Sequence, residues 1–211
     1  MVLKDEIKAV VFDFGNVIIN IDLEKTYQAF ADLTFKPVSK VKALFSENEI
    51  FRKYEIGFFD EEEFRDVVRQ TLGYPLNDDE IDEAWNALLL DAPAHRIKYL
   101  EVLRLKIPVY LLSNTNFTHI KASKKYFRDK HGFPDFFEIF NHAFFSYEIK
   151  LYKPDYEIYH HLIKELKLEP HQILFLDDNQ SNIDAALEVG INAIKINPPE
   201  DFMPILDLLI E

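Results

Sequence analysis

The chain of 211 residues contains no cysteine. That excludes a disulfide framework, a thiolate metal site and a cysteine nucleophile, and it suits a reducing cytoplasm, the expected location. Glycine is scarce as well, five in all. Neither GxxxxGK(S/T) nor GxGxxG occurs among them, so a Walker-type phosphate loop and a dinucleotide-binding turn are both excluded. No stretch approaches the roughly 18 apolar residues of a membrane span. No basic region followed by a long apolar run opens the chain, so neither a signal peptide nor a membrane partner is expected. The seven histidines show no HExxH spacing, and only His160 and His161 are adjacent, which argues against zinc. Positive charge is in deficit: 24 Lys and Arg stand against 37 Asp and Glu, a net charge of −13. Such a surface repels nucleic acid. It also repels an anionic metabolite at long range, so any phosphate site needs a metal and local cations to reverse the field.

Apolar residues are plentiful. At 48% hydrophobic and 14% aromatic, the chain can bury a substantial core. Four apolar segments read as strands: Ile7 to Asp13, Val109 to Ser113, Ile173 to Asp177 and Ala193 to Ile196. The first three barely alternate, as expected of parallel strands covered on both faces. A short strand around Ala143 to Ser146 extends the same sheet. Helical patterns cover Pro93 to Lys106, Tyr156 to Leu168 and Ser181 to Val189, the last closed by Gly190. Strands alternating with helices predict an α/β layered domain with a Rossmann-like parallel sheet.

Residues 22–90 have a different character. Helical patterns at Leu23 to Leu33, Asp60 to Leu72 and Asn77 to Leu90 run without a central strand. Asp60 and Glu63 form a capping pair, and Gly57 marks the turn before it. The spacing predicts a helical insertion over 22–90, a cap, with hinges near Asn20–Asp22 and Asp91–Pro93. The core is then 1–21 with 91–211.

Ligands of open parallel sheets bind beyond the carboxyl ends of the strands. The first strand runs out into Asp13-Phe14-Gly15-Asn16-Val17 and the second into Ser113-Asn114-Thr115-Asn116. Lys150-Leu151-Tyr152-Lys153-Pro154-Asp155 follows, and the last site-bearing strand ends Asp177-Asp178-Asn179. In this order the four segments resemble the signature motifs of the haloacid dehalogenase superfamily, and the helical insertion sits where that family's C1 cap sits. DFGNV, LSNTN, KPD and FLDDN are most similar to its small bacterial sugar-phosphate phosphatases, which include an α-D-glucose-1-phosphate phosphatase.

The resemblance implies a set of roles. Asp13 is the nucleophile, forming an aspartyl-phosphate that water hydrolyses. Mg²⁺, which needs only one or two carboxylates beside waters and phosphate, is held by Asp178, Asp13 and the carbonyl of Gly15. Asp177 assists directly or through water. Ser113 and Asn114 hydrogen-bond the phosphoryl oxygens, Lys153 neutralises transition-state charge, and Asn182 orders contacts around the metal site. The cap chooses the substrate, a small phosphorylated metabolite. Arg52 either clamps a second anionic group or is an ordinary solvated charge; Lys53, Glu55, Glu24 and Tyr27 are further cap candidates. The protein is expected to act as a monomer or homodimer.

One departure stands out. Most phosphatases of this family read Asp-x-Asp at the first strand, the second Asp serving as general acid and base; here that position is Gly15. A water, a cap residue such as Glu55, or the substrate itself must then carry the proton. Two other readings compete. A metal-free 2-haloacid dehalogenase shares the Asp, Ser-Asn and Lys motifs, but Asp177 and Asp178 would repel its carboxylate substrate. A non-catalytic binding module of the same fold would have no use for Asp13, Ser113, Lys153 and both aspartates together.

Overall fold

A computed structural model describes residues 6–197 and 202–210, with the side chains of 208–210 left out. The remaining parts of the expected core, 1–5, 198–201 and 211, lie outside the described residues. The chain begins with β1 (Ala9–Phe12) and then makes five helices: α1 (Leu23–Thr34), α2 (Val38–Glu47), α3 (Ile50–Glu55), α4 (Glu61–Leu72) and α5 (Asp78–Asn86). It continues through α6 (Ala94–Leu103), β2 (Val109–Ser113), α7 (Phe117–His131), β3 (His142–Phe145) and α8 (Ser146–Ile149). It closes with α9 (Tyr156–Leu166), β4 (Ile173–Asp177), α10 (Gln180–Glu188), β5 (Asn192–Lys195) and α11 (Met203–Ile210).

All five strands pair in parallel, in the order β3-β2-β1-β4-β5. The near-continuous apolar strands follow from their burial on both faces. Val10 and Phe12 join Leu111, Leu174 and Leu176 in one hydrophobic cluster, while Val11 joins Leu112, Ile173 and Phe175 in another. The strand order reverses direction at β1, which makes the C-terminal edge of β1 and β4 the natural ligand crevice. Register completes the placement: Phe12 pairs with Leu176, so Asp13 and Asp177 leave the sheet side by side.

Helices α1–α5 bury a third cluster of their own, including Phe30, Phe45, Tyr54, Phe64 and Trp85. The expected capping pair is real: Asp60 accepts from the Glu63 amide at 2.9 Å, and Glu63 returns the bond to the Asp60 amide at 3.0 Å. The helix expected over Asn77 to Leu90 stops at Asn86. The chain there is needed in extended form, because Leu88 to Asp91 zips against Asn20 to Asp22 through three main-chain hydrogen bonds of 2.8–3.0 Å. The two crossings between layer and sheet are thus tied to each other. Helices α2, α3, α7, α8 and α11 are not singled out by the sequence patterns. Among the described residues no helix is long and apolar enough to cross a membrane.

The helical layer meets the core tightly at Gly57, whose φ is +65°. A Cβ there would lie 2.3 Å from the Tyr147 carbonyl oxygen. Gly57→Ala therefore combines left-handed strain with a backbone clash. The expected cost is about 2 kcal/mol or more, read in a thermal melt as a fall in Tm of roughly 4–8 °C.

Candidate active site

Four chain segments converge at the C-terminal edge of β1, β2 and β4. Asp13 is nearly buried at the tip of β1. Lys153, only 2% exposed, comes from the loop between α8 and α9 and reaches under the sheet edge. Its Nζ donates to Asp13 Oδ1 at 2.7 Å and to Asp177 Oδ2 at 2.6 Å. Burial alone would lower the pKa of this ammonium, but the Asp13 and Asp177 carboxylates outweigh it and the pKa is raised. Burial pushes Asp13 the other way, up to about 7, with Lys153 opposing and Asp177 adding to the rise. The group that carries the site together is a buried cation between two buried acids.

The neighbouring side chains hold this triad in place. Asp177 Oδ1 accepts from the Asn179 amide at 2.8 Å, and Asn182 Nδ2 contacts both Asp177 oxygens, at 3.0 and 2.9 Å. Asn182 thus orders Asp177. With Lys153 on Oδ2, both Asp177 oxygens are committed to protein donors. Asp178 differs: it is half-buried, faces the cavity and accepts one bond, from Asn16 Nδ2 at 2.9 Å. One carboxylate oxygen from each of Asp13, Asp177 and Asp178 lies within 4.8 Å of the others. A hard divalent cation prefers such a set of oxygens, so the donors present fit Mg²⁺. Asp13 and Asp178 offer the freer oxygens; Asp177 is placed to hold Lys153 instead.

Ser113 and Asn114 both border the cavity. The hydroxyl of Ser113 makes only a long 3.4 Å contact to the Asn114 carbonyl and stays available. The Asn114 side chain does not: its Nδ2 donates to the Lys153 carbonyl at 2.8 Å, and its Oδ1 accepts from the Lys153 amide at 2.9 Å. The Asn114 side chain is thus a splint for Lys153, because both ends of its amide are matched to the N–H and C=O of that one residue.

The cavity itself is about 600 Å³ and lies between the sheet edge and the helical layer. Of the residues named from the insertion, only Glu55 lines it. Arg52 points outward, where Nη2 pairs with Asp155 Oδ2 at 2.8 Å and the guanidinium lies 4.8 Å from the centre of the Tyr152 ring. At this rim position its charge is partnered by Asp155 and lies outside the cavity lining. Glu24 is paired with Lys42 at 2.6 Å, Tyr27 packs edge-on against Phe45 and Phe51, and Lys53 Nζ donates to the Asn48 carbonyl at 3.0 Å.

Two contributors escaped the sequence reading. Asn16 adopts φ 58°, accepts from the Ile21 amide at 3.1 Å and grips Asp178. Asn is one of the few residues that tolerate this backbone region, the one available signal. His119 also lines the cavity, but its ring is fully occupied. The Trp85 indole can only donate, so Asn116 turns its oxygen to it at 3.2 Å and its nitrogen to His119 Nδ1 at 2.9 Å. The proton of His119 then sits on Nε2, 3.2 Å from the Trp85 carbonyl. Burial lowers its pKa to about 4, so the ring is neutral and structural.

Comparison with known proteins agrees with this geometry. The family model for haloacid dehalogenase-like hydrolases matches residues 7–190. A D-ribitol-5-phosphate phosphatase of Bacteroides thetaiotaomicron is 31% identical over 205 residues, covering 97% of this chain and 98% of that one. A crystal structure of a HAD family enzyme from the same organism, in complex with magnesium and inorganic phosphate, superposes with a TM-score of 0.84 at 33% identity, covering 94% and 98% of the two chains. A predicted HAD-like family hydrolase from Porphyromonas gingivalis superposes with a TM-score of 0.88 at 26% identity, over 98% and 99%. A match over nearly the whole chain, with strand-end carboxylates gathered around one lysine, leads to one conclusion: the chain belongs to the haloacid dehalogenase-like hydrolase family.

Proposed function

We propose that the protein is a Mg²⁺-dependent phosphatase that hydrolyses a monophosphate of a sugar or sugar alcohol through an aspartyl-phosphate on Asp13. The observation that carries the reading is the clustering of Asp13, Asp177 and Asp178 within 4.8 Å beside a fully enclosed lysine. Three carboxylates so close would repel a haloacid, whereas with a divalent cation they attract phosphate. A Mg²⁺ ion held by Asp13, Asp178 and the Gly15 carbonyl would supply charge neutralisation for the incoming phosphoryl group.

Within this reading each side chain has a task. Asp13 attacks phosphorus in line with the leaving oxygen. Lys153 holds that carboxylate in place and offers positive charge where the equatorial oxygens gather it. Ser113 donates its hydroxyl to one of those oxygens, Asn114 splints Lys153, and Asp177 with Asn182 keeps the ammonium aimed. Residues 22–90 act as the cap over the cleft. Among the described residues lining the cavity there is no Arg or Lys, so nothing there favours a second anionic group on the substrate, which suits the activity named for the Bacteroides relative.

The test is phosphate release from a panel holding D-ribitol 5-phosphate, glucose 1-phosphate and a sugar bisphosphate, with Mg²⁺ and with chelator. Release from the monophosphates only when Mg²⁺ is present is expected, with the bisphosphate poorest. Equal rates in chelator, or no release from any monophosphate, would sink the reading.

A further inference from the structure

The family's usual acid and base position is occupied by Gly15, which brings no titratable group, and a side chain there would have to displace the end of Ile21. A Cβ built on Gly15 would stand 2.8 Å from Ile21 Cδ1. A proton must nevertheless reach the leaving oxygen of an alkyl phosphate, and one must later leave the attacking water.

We propose that Glu55, at the end of α3, is the proton donor and acceptor for both halves of the reaction, in place of a side chain at position 15. This rests on the phosphatase reading above. Besides Asp178, Glu55 is the carboxylate lining the cavity among the described residues, and Asp178 is engaged with Asn16 in the acidic cluster. The other titratable cavity groups are unsuited: both nitrogens of His119 are bonded, and burial, then Glu55 itself, raise the pKa of Tyr152 so that it remains a donor. Tyr152 Oη donates to Glu55 Oε2 at 2.9 Å. Oε1 has no hydrogen-bond partner in the protein among the described residues, so one oxygen of this cavity-lining carboxylate is oriented and the other is uncommitted.

The charged surroundings keep Glu55 able to hold or release a proton. Burial pushes its pKa up to about 7, opposed by the Tyr152 hydroxyl and the Lys153 ammonium. The charge of Glu55 also bears on the Tyr27 hydroxyl, and the Arg52 guanidinium lies 4.8 Å from the centre of the Tyr152 ring. In the first half, Asp13 forms the new P–O bond, the bond to the leaving oxygen breaks, and that oxygen takes the proton from neutral Glu55. In the second, the Glu55 carboxylate takes a proton from water, the hydroxyl oxygen bonds phosphorus, and the Asp13–phosphorus bond breaks. Asp13 and neutral Glu55 are regenerated.

The test uses leaving-group chemistry. Nitrophenolate needs no proton to depart, whereas a sugar-alcohol oxygen does. Wild type and Glu55→Gln are compared in Mg²⁺ on D-ribitol 5-phosphate and on p-nitrophenyl phosphate. The Gln variant is expected to lose about 10²–10⁴-fold on the alkyl substrate. On the aryl substrate it should show a burst of one nitrophenolate per protein followed by slow turnover, because only hydrolysis of the phosphoprotein still needs the base. Its alkyl rate should lack the fall above about pH 7 that depletion of neutral Glu55 gives wild type, and Glu55→Asp should recover part of the loss. Glu62→Gln, at an exposed carboxylate of α4 outside the cavity lining, is the control and should keep both rates. Equal losses on both substrates with no burst would reduce Glu55 to an anchor for Tyr152 and overturn the proposal while leaving the phosphatase intact. A wild type inert on both substrates and on every monophosphate of the panel would overturn both readings.

Discussion

Asp13→Asn is expected to abolish phosphate release, by at least about 10³-fold, with the fold preserved. The substitution is nearly isosteric and keeps an oxygen to accept from Lys153 at the 2.7 Å contact. It removes the negative charge and the nucleophilic lone pairs at once, and no second carboxylate can replace it: Asp177 has both oxygens bonded to protein donors. Circular dichroism should match wild type, and mass spectrometry of acid-quenched protein should show a phosphate adduct in wild type only. A variant that keeps even a tenth of the rate would remove Asp13 from the chemistry and leave it as a ligand.

Lys153→Met should damage the fold as well as the reaction. The lysine is 2% exposed between two acids that are themselves nearly enclosed, and removing one partner of such a cluster leaves uncompensated buried charge, a loss of about 3–5 kcal/mol. The sign of its pH dependence follows from the carboxylates. Asp13 already sits near 7 because of burial, with Lys153 holding it down; without the ammonium it rises further. The folded variant then binds more protons than the unfolded chain between the ordinary carboxylate pKa and the raised one, so its stability increases as pH falls through that window. Urea unfolding at pH 7.5 and 5.5 should show a smaller deficit against wild type at the lower pH. A constant deficit would mean that the cost is lost packing, such as the contact of Lys153 Nζ with the Phe175 ring at 5.2 Å.

Both predictions depend on a site whose parts were legible to different degrees. Strand identity was readable because β1, β2 and β4 are apolar on both faces, a pattern that only double coverage explains. The chemistry-bearing side chains then lie directly at those strand ends, as Asp13, Ser113, Asp177 and Asp178 do. Boundaries were less legible. Ile7, Lys8 and Asp13 lie outside β1, although the Lys8 and Asp13 amides still bond to the Gln172 and Leu176 carbonyls, and the extended stretch Leu88 to Asp91 is decided by the distant segment Asn20 to Asp22. Arg52 shows the same limit at a side chain: a cation near the cleft in sequence is partnered by Asp155, 103 positions on.

From its residue pattern alone, the chain determined a parallel α/β core, a helical insertion and the four segments that bear the reactive groups, since periodicity and strand-end position are local properties. Tertiary structure alone decided which groups are free to react. It committed Asn114 to Lys153, Asp177 to Asn182 and Arg52 to the rim, set the end of Ile21 against Gly15, and brought Glu55 to the cavity. Those assignments depend on hydrogen-bond partners and desolvation across distant segments, and neither exists until the sheet and the helical layer have come together.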